Sequence, residues 1–188
     1  MPPKAKYTRE QIIKTAVNFV RQNGFNLLTA RNLAQSLNSS PKPIFCYFKN
    51  MNELQCEIIS YANNIYNKYI NDAMNKGDLP PYKASGMAYI LFAKEEKELF
   101  KLLFMRDRSS ENIEENYEEI KPLINLIMQN VKISEQEARL FHLESWLYVH
   151  GIATMIATSY IDWDINFISD ALTDMYNGLK YRFLERRK

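Results

Sequence analysis

The residues best suited to chemistry in this chain lie between Thr29 and Lys49, and the chemistry they suit is recognition. Thr29 and Arg31 offer a hydroxyl and a guanidinium to phosphate at a helix start. Lys42 and Tyr47 are the leading readers of base edges, with Ser39, Ser40, Pro43 and Cys46 beside them, and Lys49 adds a charge for the backbone. Bond-breaking chemistry has no comparable support. The chain has no G-x-S-x-G elbow, no glycine loop to cradle phosphate and no H-x-x-x-H pair. Its two histidines, His142 and His150, have no Cys or carboxylate at ligand spacing and read as core or interface residues. The acidic run Glu111, Glu114, Glu115, Glu118 and Glu119 reads as a solvated helix face. An enzyme is not expected, and neither a metal nor a cofactor is implied.

The elements that must position these groups are helical. Thr8 and Gln11 have the spacing of a capping box, Ile12, Ile13, Ala16, Phe19 and Val20 recur at helical intervals, and Gly24 supplies a stop. Thr29 caps a second short helix, about 30–36, whose apolar stripe is Leu33, Ala34 and Leu37. A third, about 41–47, starts at Ser40-Pro41 and buries Ile44 and Phe48. Joined by the short polar turn Asn38-Ser39-Ser40, these two helices have the anatomy of a helix-turn-helix, with the second lying in the major groove of DNA. A long helix from about 52 to 74 ends in Lys76-Gly77-Asp78-Leu79-Pro80-Pro81, and helical patterns resume over about 83–93, 96–105, 114–130, 134–158 and 166–185. The expected fold class is all-α with about nine helices. Residues 1–54 are expected to form the helix-turn-helix domain and 55–188 a second helical domain, to which the family resemblance given below assigns effector binding and dimerisation.

Charge divides along the same line. Residues 1–58 carry eight basic groups (Lys4, Lys6, Arg9, Lys14, Arg21, Arg31, Lys42, Lys49) against Glu10, Glu53 and Glu57, while the remainder holds 16 basic against 19 acidic. A basic head on a mildly acidic body points the head at a polyanion. Hydrophobic residues at 46% and charged ones at 24% permit a buried core, and only five glycines favour helix over a turn-rich β fold. The N-terminus lacks the apolar run of a secretory signal, and no uncharged apolar stretch is long enough for a membrane span. Cys46 and Cys56 are too few for a disulfide framework, so a cytoplasmic setting is expected.

The run Leu28-Thr29-Ala30-Arg31-Asn32-Leu33-Ala34, then Leu37, then Ser40 through Asn50, resembles the DNA-binding domain of tetracycline-repressor-like (TetR family) regulators. Ile12-Ile13, Ala16, Gly24-Phe25 and Glu53-Leu54 extend the likeness over nearly all of the first 54 residues. Two body segments, 89–104 and 146–153, look like parts of one subgroup of these regulators. The resemblance implies a three-helix head that binds a palindromic operator as a homodimer, on a body that senses a small molecule. Repression relieved by the effector is the leading expectation. An activator or architectural DNA binder, or a ligand-binding protein with a degenerate head, are the alternatives. Two positions depart from the family pattern. Phe45 stands where many relatives have a phosphate-binding Tyr, and Met51 where a Lys is common.

In the body, Tyr66, Tyr69, Tyr89, Phe92, Phe104, Met105, His142, Trp146 and His150 are the candidates for an apolar or aromatic effector pocket. The helix from Trp146 to Ala157 is apolar nearly all round and so needs contacts on two sides. Gly151, Ala153 and Ala157 there, with Ile168, Leu172, Met175 and Leu179 on the last helix, are the candidate dimer face.

Overall fold

A computed structural model describes residues 7–109 and 117–185 of the chain. The described residues form nine α-helices and no strand: α1 (Arg9–Asn23), α2 (Ala30–Ser36), α3 (Lys42–Phe45), α4 (Met51–Lys76), α5 (Pro81–Glu95), α6 (Lys97–Phe104), α7 (Tyr117–Val131), α8 (Glu135–Ala157) and α9 (Ile165–Glu185). The expected all-α class holds. Among the described residues no helix is long and apolar enough to cross a membrane. Glu111, Glu114 and Glu115 of the acidic run lie outside the described residues, while Glu118 and Glu119 are exposed.

Local chemistry sets the ends of these helices. Thr8 Oγ1 accepts from the Gln11 amide (3.1 Å) and Gln11 Oε1 accepts from the Thr8 amide (2.8 Å), closing the expected capping box. Gly24 ends α1 with φ +82°, and its amide donates to the Val20 carbonyl at 2.8 Å. A side chain there would be strained by the backbone angle and would also meet Glu98 Oε2 at 3.0 Å. Ser134 and Glu137 close a second capping box at the start of α8.

The chain divides into two compact units. One comprises Met1–Asn67 and Glu96–Arg106, the other Lys68–Glu95 and Asp107–Lys188. In the first, α1 buries Ile12, Ala16 and Val20, α2 and α3 bury Leu33 and Ile44, and α4 buries Leu54 and Ile58. Helix α6 packs on α1 and buries Leu99 and Phe100, and the Arg21 guanidinium forks onto the Glu96 carboxylate at 2.8 and 2.7 Å. In the second unit α5 lies along α8, and α7 and α9 close a core of Ile124, Ile127, Val131, Ile133, Ala138, Phe141 and Phe183.

Candidate nucleic-acid interface

Helices α2 and α3 with their connection form the expected helix-turn-helix. Thr29 caps α2 by accepting from the Asn32 amide at 3.1 Å, and Asn32 Nδ2 donates to the Leu27 carbonyl at 2.8 Å. The helix closes when Asn38 adopts a left-handed φ of +46°, with the Asn38 and Ser39 amides returning to the Gln35 and Ala34 carbonyls. Leu33, Ala34, Leu37, Ile44 and Phe48 are all buried and hold the two helices together.

The second helix is shorter than the periodicity implies. It spans Lys42–Phe45 rather than about 41–47, and Pro41, not Ser40, precedes it with no side-chain cap. Pro41 and Pro43 have no N–H to donate. The Ile44 and Tyr47 amides therefore close tight three-residue turns onto Pro41 and Ile44 carbonyls at 3.0 and 3.1 Å. Asn50 then caps α4 by accepting from the Glu53 amide at 3.0 Å, and the Glu53 carboxylate accepts from the Lys49 amide at 2.6 Å.

Thr29, Arg31, Ser40, Lys42, Cys46 and Lys49 are exposed, and Ser39, Pro43 and Tyr47 are half-buried. Phe45 is 46% exposed, an apolar ring on the outside of the motif. The Tyr47 hydroxyl is engaged, donating to the Tyr7 carbonyl at 2.9 Å, while the Tyr7 hydroxyl donates to the Leu37 carbonyl. Tyr7 is a contact that periodicity could not reveal, because it lies before the first helix.

The six described basic residues of the head fall into two groups. Arg9 pairs with Glu57 at 2.7 Å and lies over the Phe48 ring, Lys14 pairs with Glu10 at 2.6 Å, and Arg21 with Glu96 at 2.7 Å. Arg31, Lys42 and Lys49 make no ion pair among the described residues. The three cations on and beside the helix-turn-helix are therefore the ones without a carboxylate.

The effector candidates fall into separate groups. In the first unit Tyr66 meets Phe104 edge-on with ring centres 5.2 Å apart, and Met105 is exposed. In the second, Tyr69 meets Phe92 at 5.4 Å and donates its hydroxyl to Glu95 at 2.8 Å. Tyr89, Trp146 and His150 come together: the Tyr89 hydroxyl lies 2.8 Å from His150 Nδ1, and the Trp146 ring stacks on the imidazole at 4.8 Å. His142 pairs with Tyr82, hydroxyl to Nδ1 3.1 Å. Tyr82 was not among the sequence candidates. Its signal is the seven-residue interval to Tyr89 on α5, facing the eight-residue interval between the two histidines on α8. Burial pushes the Tyr82 phenol well above its ordinary range, so it stays neutral.

Burial also holds the His150 imidazole below its ordinary value. A depressed histidine contributes stability that is present above the unfolded value, about 6.5, and is lost as pH falls through it. The urea midpoint of the wild type should therefore drop between about pH 7.5 and pH 5.5, and drop less in His150→Gln. Equal drops in both proteins would remove His150 from this role.

On α8 and α9 the dimer candidates separate by burial. Ala153, Ala157, Ile168 and Leu172 are buried within their own unit, and Leu179 packs against its core. Met175 and Gly151 are half-buried. Exposed apolar side chains on α8 are Leu140, Leu143, Trp146, Leu147, Tyr148 and Met155, and on α9 Ile165, Phe167, Tyr181 and Leu184; Leu140, Leu143 and Leu147 form one stripe and Phe167 and Tyr181 another. Gly151 and Gly178 continue these two stripes, and a Cβ at either would meet nothing within 4 Å.

No family model matches the chain, and no curated protein matches it. Among solved structures it is similar to a TetR-like transcriptional regulator from Rhodococcus sp. RHA1, with a TM-score of 0.66 over 98% of this chain and 99% of that one, at 18% sequence identity. The chain has the fold of that regulator.

Proposed function

We propose that this chain is a dimeric transcriptional regulator that represses by binding a palindromic operator and is released by an apolar or aromatic small molecule. The division of cations in the head carries the reading. Arg9, Lys14 and Arg21 have carboxylate partners, whereas Arg31, Lys42 and Lys49 stand exposed on or next to a helix-turn-helix. Lys42 opens α3 and reads a base edge, Arg31 and Lys49 hold the phosphates, and Cys46 is a small neutral neighbour in the groove. Phe45, lacking a hydroxyl, offers apolar contact to thymine methyl groups instead of a phosphate bond.

The switch rests on α4. It runs unbroken from Met51 to Lys76, with residues up to Asn67 in one compact unit and those from Lys68 in the other. An effector among the body aromatics that favours one setting of this helix changes the spacing of the two reading elements. That spacing has to be about 34–36 Å to enter successive major grooves.

Fluorescence anisotropy with duplexes enriched by the protein from a random pool tests the DNA reading. Lys42→Ala should weaken binding to the enriched duplex by about 1–3 kcal/mol and relax preference at one position. Arg31→Ala should weaken enriched and random duplexes alike and flatten the salt dependence. A wild-type chain that enriches no sequence would overturn the regulator reading in favour of a ligand-binding protein. Reporter expression that rises with the protein would make it an activator.

A further inference from the structure

We propose that Tyr7 and Tyr47 form a clasp that sets the angle at which α3 is presented to the groove, so that the Tyr47 hydroxyl positions the reading element and is not itself a DNA ligand. The inference rests on the DNA-binding reading above and deepens it. Tyr7, which lies outside the helix-turn-helix, becomes a positioning residue for sequence preference.

Helix α3 cannot hold its own orientation. It spans only Lys42–Phe45, has no side-chain cap, and carries prolines at 41 and 43 in place of two amide donors. A single turn makes too few hydrogen bonds to be stable alone, so tertiary contacts must orient it. Ile44 and Phe48 are buried and anchor one side. Apolar burial is non-directional, however, and leaves rotation about that anchor loosely set. Hydrogen bonds, which are directional, can fix it.

Tyr7 supplies them from outside the motif. Its hydroxyl donates to the carbonyl of Leu37, the residue that ends α2, and its own carbonyl accepts from the Tyr47 hydroxyl, just past α3, at 2.9 Å. These partners are 30 and 40 residues away in sequence, so one residue ties the end of α2 to the exit from α3. Tyr7 and Tyr47 are both half-buried. Helix α1 does not depend on these bonds, since Thr8 and Gln11 already close its start. A hydroxyl has one proton to donate, and that of Tyr47 is spent within the protein. A base-edge contact from Lys42 requires placement to within about 0.5 Å, whereas long side chains such as Arg31 and Lys49 can follow phosphates through larger shifts. The clasp therefore acts on sequence preference and little on general affinity for DNA.

The test compares Kd for an enriched duplex and for a random-sequence duplex of the same length. Tyr7→Phe and Tyr47→Phe each remove one hydroxyl. Each should weaken the enriched duplex about 3- to 10-fold, the ordinary worth of one hydrogen bond, and leave the random duplex unchanged. Preference should relax across the half-site and not at one position alone. Because both bonds serve one clasp, the double variant should lose little more than either single one, and additive losses would overturn that coupling. A loss confined to Tyr47→Phe, with Tyr7→Phe binding like the wild type, would make the Tyr47 hydroxyl a DNA ligand and overturn the clasp. Equal losses on both duplexes would also overturn it, since an unfolded fraction lowers all binding alike and reports stability only. If the wild type enriches no sequence, the DNA-binding reading itself fails and the clasp with it. If it does, and both variants match it on the enriched duplex, the clasp alone fails.

Discussion

A chain carrying Leu143→Asp and Leu147→Asp is expected to sediment as a monomer and to bind a two-half-site duplex about 10²–10⁴-fold more weakly than the wild type. The two leucines are 49% and 57% exposed on α8, four residues apart on one face. Leu140 precedes them, and Gly151 follows with open space where a Cβ would be. On α9, Phe167 and Tyr181 are 56% and 68% exposed and Gly178 is equally open. Two apolar stripes, each with a glycine that admits close helix approach, suit a four-helix interface between two copies. Carboxylates at 143 and 147 would be duplicated across a two-fold axis and would have to be desolvated without partners. The folded monomer should tolerate them, because these side chains are not part of its core. Helical content by circular dichroism should therefore stay near wild type while sedimentation shows a halved mass. A variant that stays dimeric places the interface elsewhere on the chain.

Phe141→Ala should have the opposite signature, with stability lost and the interface residues untouched. Phe141 is fully buried, with ring centres 5.3 Å from Tyr176, 5.6 Å from Phe183 and 6.3 Å from Tyr82. Deleting the ring removes the hub of that cluster and leaves a cavity lined by three rings that cannot all collapse inward, a loss of about 3–5 kcal/mol. Urea unfolding followed by circular dichroism measures it. A midpoint shift worth less than about 1 kcal/mol would mean that the aromatic cluster repacks around the gap.

Helix positions were legible because the chain marks them with strong local signals. Thr8 with Gln11, Thr29, Gly24 and the Gly77–Pro81 breaker are short-range devices, and each sits at a helix end in the structure. The length of α3 was less legible, since its prolines and its apolar pair Ile44 and Phe48 fit both a full helix and a single turn. Tertiary partners were the hardest to read. The α8 stretch from Trp146 to Ala157 announces contacts on two sides, but composition does not say which side is which. Ala153 and Ala157 turned inward while the leucines upstream stayed out. The body aromatics were recognised as a class, yet Tyr66 and Phe104 belong to a different compact unit from Tyr89, Trp146 and His150. Nothing in a linear pattern reports that division.

The placement of α6 has a consequence for synthesis on the ribosome. The compact unit that includes the helix-turn-helix also includes Glu96–Arg106. A nascent chain that has passed Asn67 still lacks Leu99 and Phe100, which pack within that unit, and Glu96, which holds Arg21. At about 5–20 residues per second, the missing helix arrives roughly two to eight seconds later. Until then the surface of α1 that α6 will cover remains open to holdase chaperones, although every residue of the helix-turn-helix has already been made. For the same reason, grafting this head onto another body by cutting after α4 would transfer the motif without the helix that seals it.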